Sequence, residues 1–252
     1  MDIPCLKDKI SPQEWQLRVD LAAAYRLVAL YGWSDLVFIH ISARIPGPEH
    51  AFLINPYGMM FDEITASSLV KVDPAGEKVE PGDYDVNPAG FIIHSAVHEA
   101  REDAQFVMHL HTVAGVAVSA QREGLLPLSQ HSLFPLASLS YHDYEGVALN
   151  PDEKARLVGD LGHTALMILR NHGLLTLGRS AADAFLKMFM LQRACEIQIG
   201  AQAGGGELIC IPAPILAGIR AQSEKVMRGS GAELAWPGLL RRLARQNPGH
   251  DA

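Results

Sequence analysis

Cysteine is scarce in this 252-residue chain. The three thiols, Cys5, Cys195 and Cys210, are odd in number, far apart and outside any CxxC pattern. That argues against a disulfide framework or a zinc knuckle and fits a reducing compartment. Long apolar runs are also missing: no stretch of about eighteen apolar residues occurs, so no membrane-spanning helix is expected. Near the start, Asp2, Lys7, Asp8 and Lys9 interrupt any secretory core. Basic residues are outnumbered 28 to 21, for a net charge of −7, and no basic stripe is visible, which argues against a broad nucleic-acid-binding face. No internal repeat or low-complexity tract appears. These absences point to a cytoplasmic protein whose partners are small molecules and copies of itself, with no nucleic acid and no membrane.

What is there suits a globular protein: 48% of residues are hydrophobic and 19% charged, and the length fits one α/β domain with a sizeable core. A helix is expected over residues 11–31, capped by Ser11 with Pro12 in its first turn and ended by Gly32. Short strands are expected at 37–45 and 51–54, joined by a Pro46-Gly47-Pro48 turn, followed by a loop-rich stretch to residue 72. Helical periodicity over 91–104 leads into the apolar run Phe106-Val107-Met108-His109-Leu110-His111, which reads as a buried strand. Helices at 113–122 and 151–161 flank a possible strand at 145–149. A second buried strand at 164–170 delivers Asn171-His172-Gly173. A long helix from Ser180 to Ala203 is broken by Gly204-Gly205-Gly206, and weaker helical segments lie at 215–227 and 239–245. The expected organisation is an arm at 1–14, a main domain at 15–203, and a helical extension at 204–252 that packs on a neighbouring subunit.

The chemistry centres on histidine. Residues two apart on a strand point to the same side, so His109 and His111 present two imidazoles from one face, roughly 6 to 7 Å apart along the backbone. Alone, such a pair is more often buried and hydrogen-bonded than ligating. His172 changes that balance, because it follows a second apolar strand at a tight turn. Three neutral imidazoles with open coordination positions are what a catalytic zinc requires, with iron or manganese as alternatives.

The segments Val107-Met108-His109-Leu110-His111-Thr112 and Ile168-Leu169-Arg170-Asn171-His172-Gly173 resemble the two metal motifs of the class II aldolase/adducin family, sixty-odd residues apart as in that family. Residues 86–130, Tyr141-His142-Asp143-Tyr144-Glu145-Gly146 and Ala194-Cys195-Glu196-Ile197-Gln198 resemble its adducin-like branch. The resemblance implies a three-layer α/β/α fold with a central β-sheet between helices, a divalent metal on His109, His111 and His172, and a homo-oligomer, tetramer or dimer.

The chain departs from the family pattern at the proton-transfer site. Aldolases of this family carry a catalytic glutamate nineteen residues before the first metal histidine, where this chain has Gly90. The family's paired phosphate-binding serines align with Pro88 and Ala89, which lack hydroxyl donors, and proline lacks even the amide. Of the phosphate loop only Gly58 remains. A sugar-phosphate aldolase of the ordinary kind is therefore not expected. His40 stands where the family has an amide, and His40 and Tyr141 are the candidates for proton transfer. Gly58, Asn87 and His94 are candidates for substrate contact, and His142 and Tyr144 lie nearby by resemblance; His94 reads more readily as a buried, backbone-bonded histidine. The expected activity is metal-dependent carbon-carbon cleavage or decarboxylation of a small, non-phosphorylated hydroxy- or keto-acid. Two alternatives are a non-haem iron oxygenase on the same fold and a non-catalytic adducin-like scaffold.

Overall fold

The computed structural model describes residues 3–252 apart from 48–49, 81, 83, 148–149, 151, 220 and 223–230, and only the backbone of 88–89. Helix α1 (Pro12–Leu30) starts as its sequence demands: the Ser11 side chain accepts from the Glu14 amide, and proline occupies the first turn. Strands β1 (His40–Arg44), β2 (Phe52–Ile54) and β3 (Val70–Val72) form an antiparallel meander. Helix α2 (Pro88–Ala100) leads into β4 (Phe106–Leu110), and the short helices α3 (Val113–Ser119) and α4 (Gln130–Leu136) follow. Next come β5 (Leu139–His142), α5 (Glu153–Leu161), β6 (Leu166–Leu169), β7 (Gly173–Gly178) and the long helix α6 (Ala181–Ala203). The chain closes with α7 (Ala213–Ala217) and α8 (Gly231–Gln246).

The seven strands make one sheet in the order β3-β2-β1-β4-β7-β6-β5, antiparallel throughout except for the β5–β6 pair. Strand alternation divides the core in two. Val107, Leu175 and Leu177 point to the face covered by α2 and α5, where they meet Ile93, Val97, Leu157 and Leu161. Met108, Leu110, Ile41 and Leu174 point to the opposite face, with Leu21, Tyr25, Phe185 and Leu191 from α1 and α6. This is the expected arrangement of a sheet between helical layers. Strand β4 is buried along its whole length at the sheet's centre.

Several elements depart from expectation. The strand anticipated at 145–149 is irregular over 143–147, with 148–149 outside the described residues; the strand in that region is β5, whose half-buried edge pattern reads like a loop. Strand β7 and helix α4 carry signals too short to stand out, and β7 follows β6 after three turn residues. Part of the 46–48 turn, residue 151 and, within the 215–227 segment, residues 220 and 223–227 lie outside the described residues. The C-terminal segment packs into the main body. Leu243 of α8 is fully buried, and Trp236 meets Phe185 at 6.2 Å. The Arg26 guanidinium donates to the carbonyl of Pro248 (2.5 Å) and to the side chain of Asn247, while the amides of Ala66 and Ser67 donate to His250 and Ala252.

Candidate metal centre

Three imidazoles converge on the α2/α5 face where β4 ends beside the β6–β7 turn. His109 Nε2 lies 2.9 Å from His111 Nε2 and 3.3 Å from His172 Nε2. All three ligand nitrogens fall within 4.8 Å of one another, the single such group among the described residues. The turn that delivers His172 depends on its neighbours. Asn171 sits at φ 55, a left-handed conformation that asparagine tolerates. A Cβ on Gly173 would stand 2.5 Å from the Leu110 carbonyl oxygen, so only glycine lets β7 close on the end of β4.

On His109 and His111 the nitrogen facing away from the cluster has a partner that sets the tautomer. His109 Nδ1 lies 3.1 Å from the Leu174 carbonyl, and His111 Nδ1 lies 3.1 Å from Asp35 Oδ2. Each must therefore donate at Nδ1, which leaves a lone pair on Nε2 toward the centre, the usual outer arrangement of metal-ligating histidines. Burial and the neighbouring imidazoles hold His109 well below the ordinary histidine range, and burial, His111 and His142 lower His172 to about 4. Three converging imidazole nitrogens, two of them held in the neutral form by burial, fit a divalent cation in donor type. Asp35 escaped notice in the sequence. Its neighbour Leu36 is held at φ 47, a strained conformation for a branched side chain.

A sequence model of the Class II Aldolase and Adducin N-terminal domain matches residues 19–199. The chain belongs to this family. A Pseudomonas aeruginosa relative, provisionally named an aldolase class 2 protein, is 64% identical over 245 residues, covering 96% of this chain and 94% of its own. Mouse alpha-adducin is 44% identical over 227 residues, which cover 87% of this chain but 31% of that protein. The crystal structure of an aldolase II superfamily protein from Pseudomonas syringae, 49% identical, superposes with a TM-score of 0.94 over 99% of this chain and 100% of its own.

Against the class II aldolase pattern, the surroundings of the triad are rearranged. His40 lies directly across from His109 in the β1–β4 register, and the two rings stack at 5.4 Å. Its ring covers Gly90, where the family resemblance implies a glutamate: a Cβ there would lie 2.5 Å from His40 Nε2. His94 is fully buried behind His40, with Nε2 3.2 Å from His40 Nδ1, and does not face an open site. Gly58 lies in an exposed turn at φ 101, and the Asn87 carbonyl accepts the Phe91 amide at the start of α2. Tyr141 is turned away from the triad. Its hydroxyl accepts the Leu125 amide (3.0 Å), its ring lies under the Arg170 guanidinium (4.2 Å), and burial pushes its pKa up. The tyrosine beside the triad is Tyr144, half exposed and 6.3 Å from the His172 ring. Tyr144 also lines a cleft of about 580 Å³ with Ser119, Gln121, Arg122, Arg170 and Asn171. His142 is buried and bonded through Nδ1 to Asp160 (2.7 Å).

Among the described residues no helix is long and apolar enough to cross a membrane.

Proposed function

We propose that this protein is a metal-dependent carbon-carbon lyase acting on a small, non-phosphorylated hydroxy- or keto-acid, as a cytoplasmic homo-oligomer. The observation that carries the reading is the convergence of three Nε2 atoms whose outer nitrogens on His109 and His111 are already committed to Leu174 and Asp35. His109, His111 and His172 would hold the ion, with zinc the best match to three imidazoles and iron or manganese the alternatives. A cation there supplies Lewis acidity toward a substrate carbonyl.

The chain's own residues supply the rest. Arg122 and Arg170 are among the residues that line the cleft, with Asp143. The Arg170 guanidinium is held by the Gln121 carbonyl and the Tyr141 ring, which leaves Arg122 as the cation suited to a substrate carboxylate. His40 offers Nε2 as the proton acceptor over Gly90, while Tyr144, on the cleft side of His172, is better placed than Tyr141 to exchange a proton with a leaving group. Pro88 and Ala89 offer no side-chain donors to a phosphate dianion, so sugar phosphates are poor substrates.

The test pairs metal content with turnover. Protein loaded with zinc, iron or manganese is assayed on a panel of hydroxy- and keto-acids beside the His109→Ala variant, which should lose both metal and activity. Turnover of sugar phosphates at rates ordinary for enzymes, about 1 per second or more, would overturn the substrate assignment. The identity to alpha-adducin supports a second, non-catalytic reading. That reading wins if fully metallated protein turns over nothing on the panel.

A further inference from the structure

Four buried side chains run inward from His40 in a single file. His40 Nδ1 lies 3.2 Å from His94 Nε2, His94 Nδ1 lies 2.5 Å from Ser42 Oγ, Ser42 Oγ lies 2.7 Å from His98 Nε2, and His98 Nδ1 lies 3.0 Å from the Ala104 carbonyl oxygen. The file is built by two periodicities. His40 and Ser42 are two apart on β1 and share a face, His94 and His98 are four apart on α2 and share a face, and the two pairs interleave. Each member is exposed by 5% or less.

We infer that the Ala104 carbonyl, acting through His98, Ser42 and His94, fixes the proton of His40 on Nδ1 and holds its Nε2 bare above Gly90. The inference deepens the reading above and rests on it for what His40 does, though not for where its proton sits. The logic starts at the one group with no freedom. A carbonyl only accepts, so His98 donates from Nδ1. Burial lowers His98 to about 3, and it is neutral at ordinary pH; its Nε2 therefore accepts. The donor to that nitrogen is the Ser42 hydroxyl, which spends its single proton there and must accept from His94 Nδ1. His94 is held neutral well below the ordinary range by burial and by His40 and His98, so its Nε2 accepts in turn. The partner facing it, His40 Nδ1, must carry a proton. Reversing the file would require a carbonyl to donate.

The file positions rather than conducts. It ends on an amide carbonyl that has no proton to pass on, so a proton gained at His40 Nε2 stays on His40, whose Nδ1–H remains pointed at His94. His94, Ser42 and His98 are therefore positioning residues. Ser42 is the joint on which the direction depends, since it is the one member that both donates and accepts through a single atom.

Long-range 1H–15N correlation spectra of the imidazoles in the full-length 15N-labelled chain test this directly. In the wild type, His40, His94 and His98 should each show a protonated Nδ1 and a bare Nε2. Ser42→Ala should cost His94 and His40 this single state, with averaged nitrogen shifts or a move to protonated Nε2, and Ser42→Thr should restore it. A wild-type His40 with its proton on Nε2 would overturn the inference, as would Ser42→Ala spectra in which His40 is unchanged. If Ser42→Ala does not fold, the wild-type spectrum alone decides. The two readings fail separately: full turnover by His40→Asn would remove His40 from catalysis without moving a proton in the wild-type spectrum.

Discussion

The imidazole of His40 occupies the space that any side chain at residue 90 would need. A Cβ on Gly90 would stand 2.5 Å from His40 Nε2 and 2.7 Å from Cγ, distances that real Cβ atoms do not show. Residue 90 lies in the first turn of α2, where exchanging glycine for alanine ordinarily gains about 1 kcal/mol. Here overpacking against a buried ring costs about 1–3 kcal/mol, and it wins. Gly90→Ala should therefore destabilise the wild type yet stabilise the His40→Ala background. Urea unfolding of the four proteins checks this: equal effects in the two backgrounds would mean that the positions are independent. Gly90→Glu alone cannot restore an aldolase-like carboxylate, because His40 blocks it.

Asp35 and His111 form the outermost link of the metal centre, Oδ2 to Nδ1 at 3.1 Å. The carboxylate fixes the His111 tautomer and the orientation of its ring. Asp35→Asn should keep the fold and lower metal affinity about 10- to 100-fold, in line with the loss of such outer partners elsewhere. Competition with a chromogenic chelator measures the affinity. An unchanged value would show that His111 needs no orienting group.

That His109, His111 and His172 belong together was legible in the sequence because they carry local signals. His109 and His111 sit two apart in an apolar run, and His172 stands between Asn171 and Gly173, a turn that needs both neighbours. The sheet between helices followed from the family resemblance. What was not legible lies between elements. Asp35 is 76 residues from His111, in a segment with no periodicity to mark it. The file behind His40 was half-written in the spacings 40/42 and 94/98, but a strand pair and a helix pair become one chain of hydrogen bonds only when α2 packs on β1. Tyr141 failed as a candidate for a related reason: residue type does not say where a hydroxyl points, and β5 turns this one into the 121–125 turn. The docking of Asn247 to Ala252 on α1 is likewise long-range, carried by Arg26 and two backbone amides.

Tyr25 ties α1 to the start of β1 and to the residue that follows the end of β2. Its buried hydroxyl accepts the amides of Ile41 (2.8 Å) and Asn55 (3.0 Å) and donates toward the Ile41 carbonyl. Tyr25→Phe keeps the ring packed on Phe61 but orphans two buried donors. At about 1–3 kcal/mol for each, the loss should be on the order of 2–6 kcal/mol, read from urea denaturation. A loss below about 1 kcal/mol would mean that those amides find other partners.

Acid should unfold the metal-free protein earlier than its carboxylates alone would require, and the sign follows from the buried histidines. In the unfolded chain a histidine takes up a proton near pH 6.5. In the folded chain burial lowers His98 to about 3, and His94 lower than its ordinary range, with no carboxylate among their hydrogen-bond partners to favour the charged form. Below pH 6.5 the unfolded state therefore binds protons that the folded state refuses. The stability these residues contribute is complete above pH 6.5 and drains away as pH falls toward 3, by up to about 1.4 kcal/mol per pH unit for each histidine. His98 and His94 together should cost on the order of 3 kcal/mol between pH 6 and pH 5, a sizeable part of the 5–15 kcal/mol typical of a folded domain. Urea midpoints measured in steps from pH 8 to pH 4.5 should hold steady down to about 6.5 and then fall steeply. His98→Gln keeps a polar side chain but cannot take a proton, so it should flatten that fall even if it lowers stability at pH 8. A wild-type curve that stays level to pH 5 would mean that the histidines are charged in the fold, and the neutral file behind His40 would then be wrong.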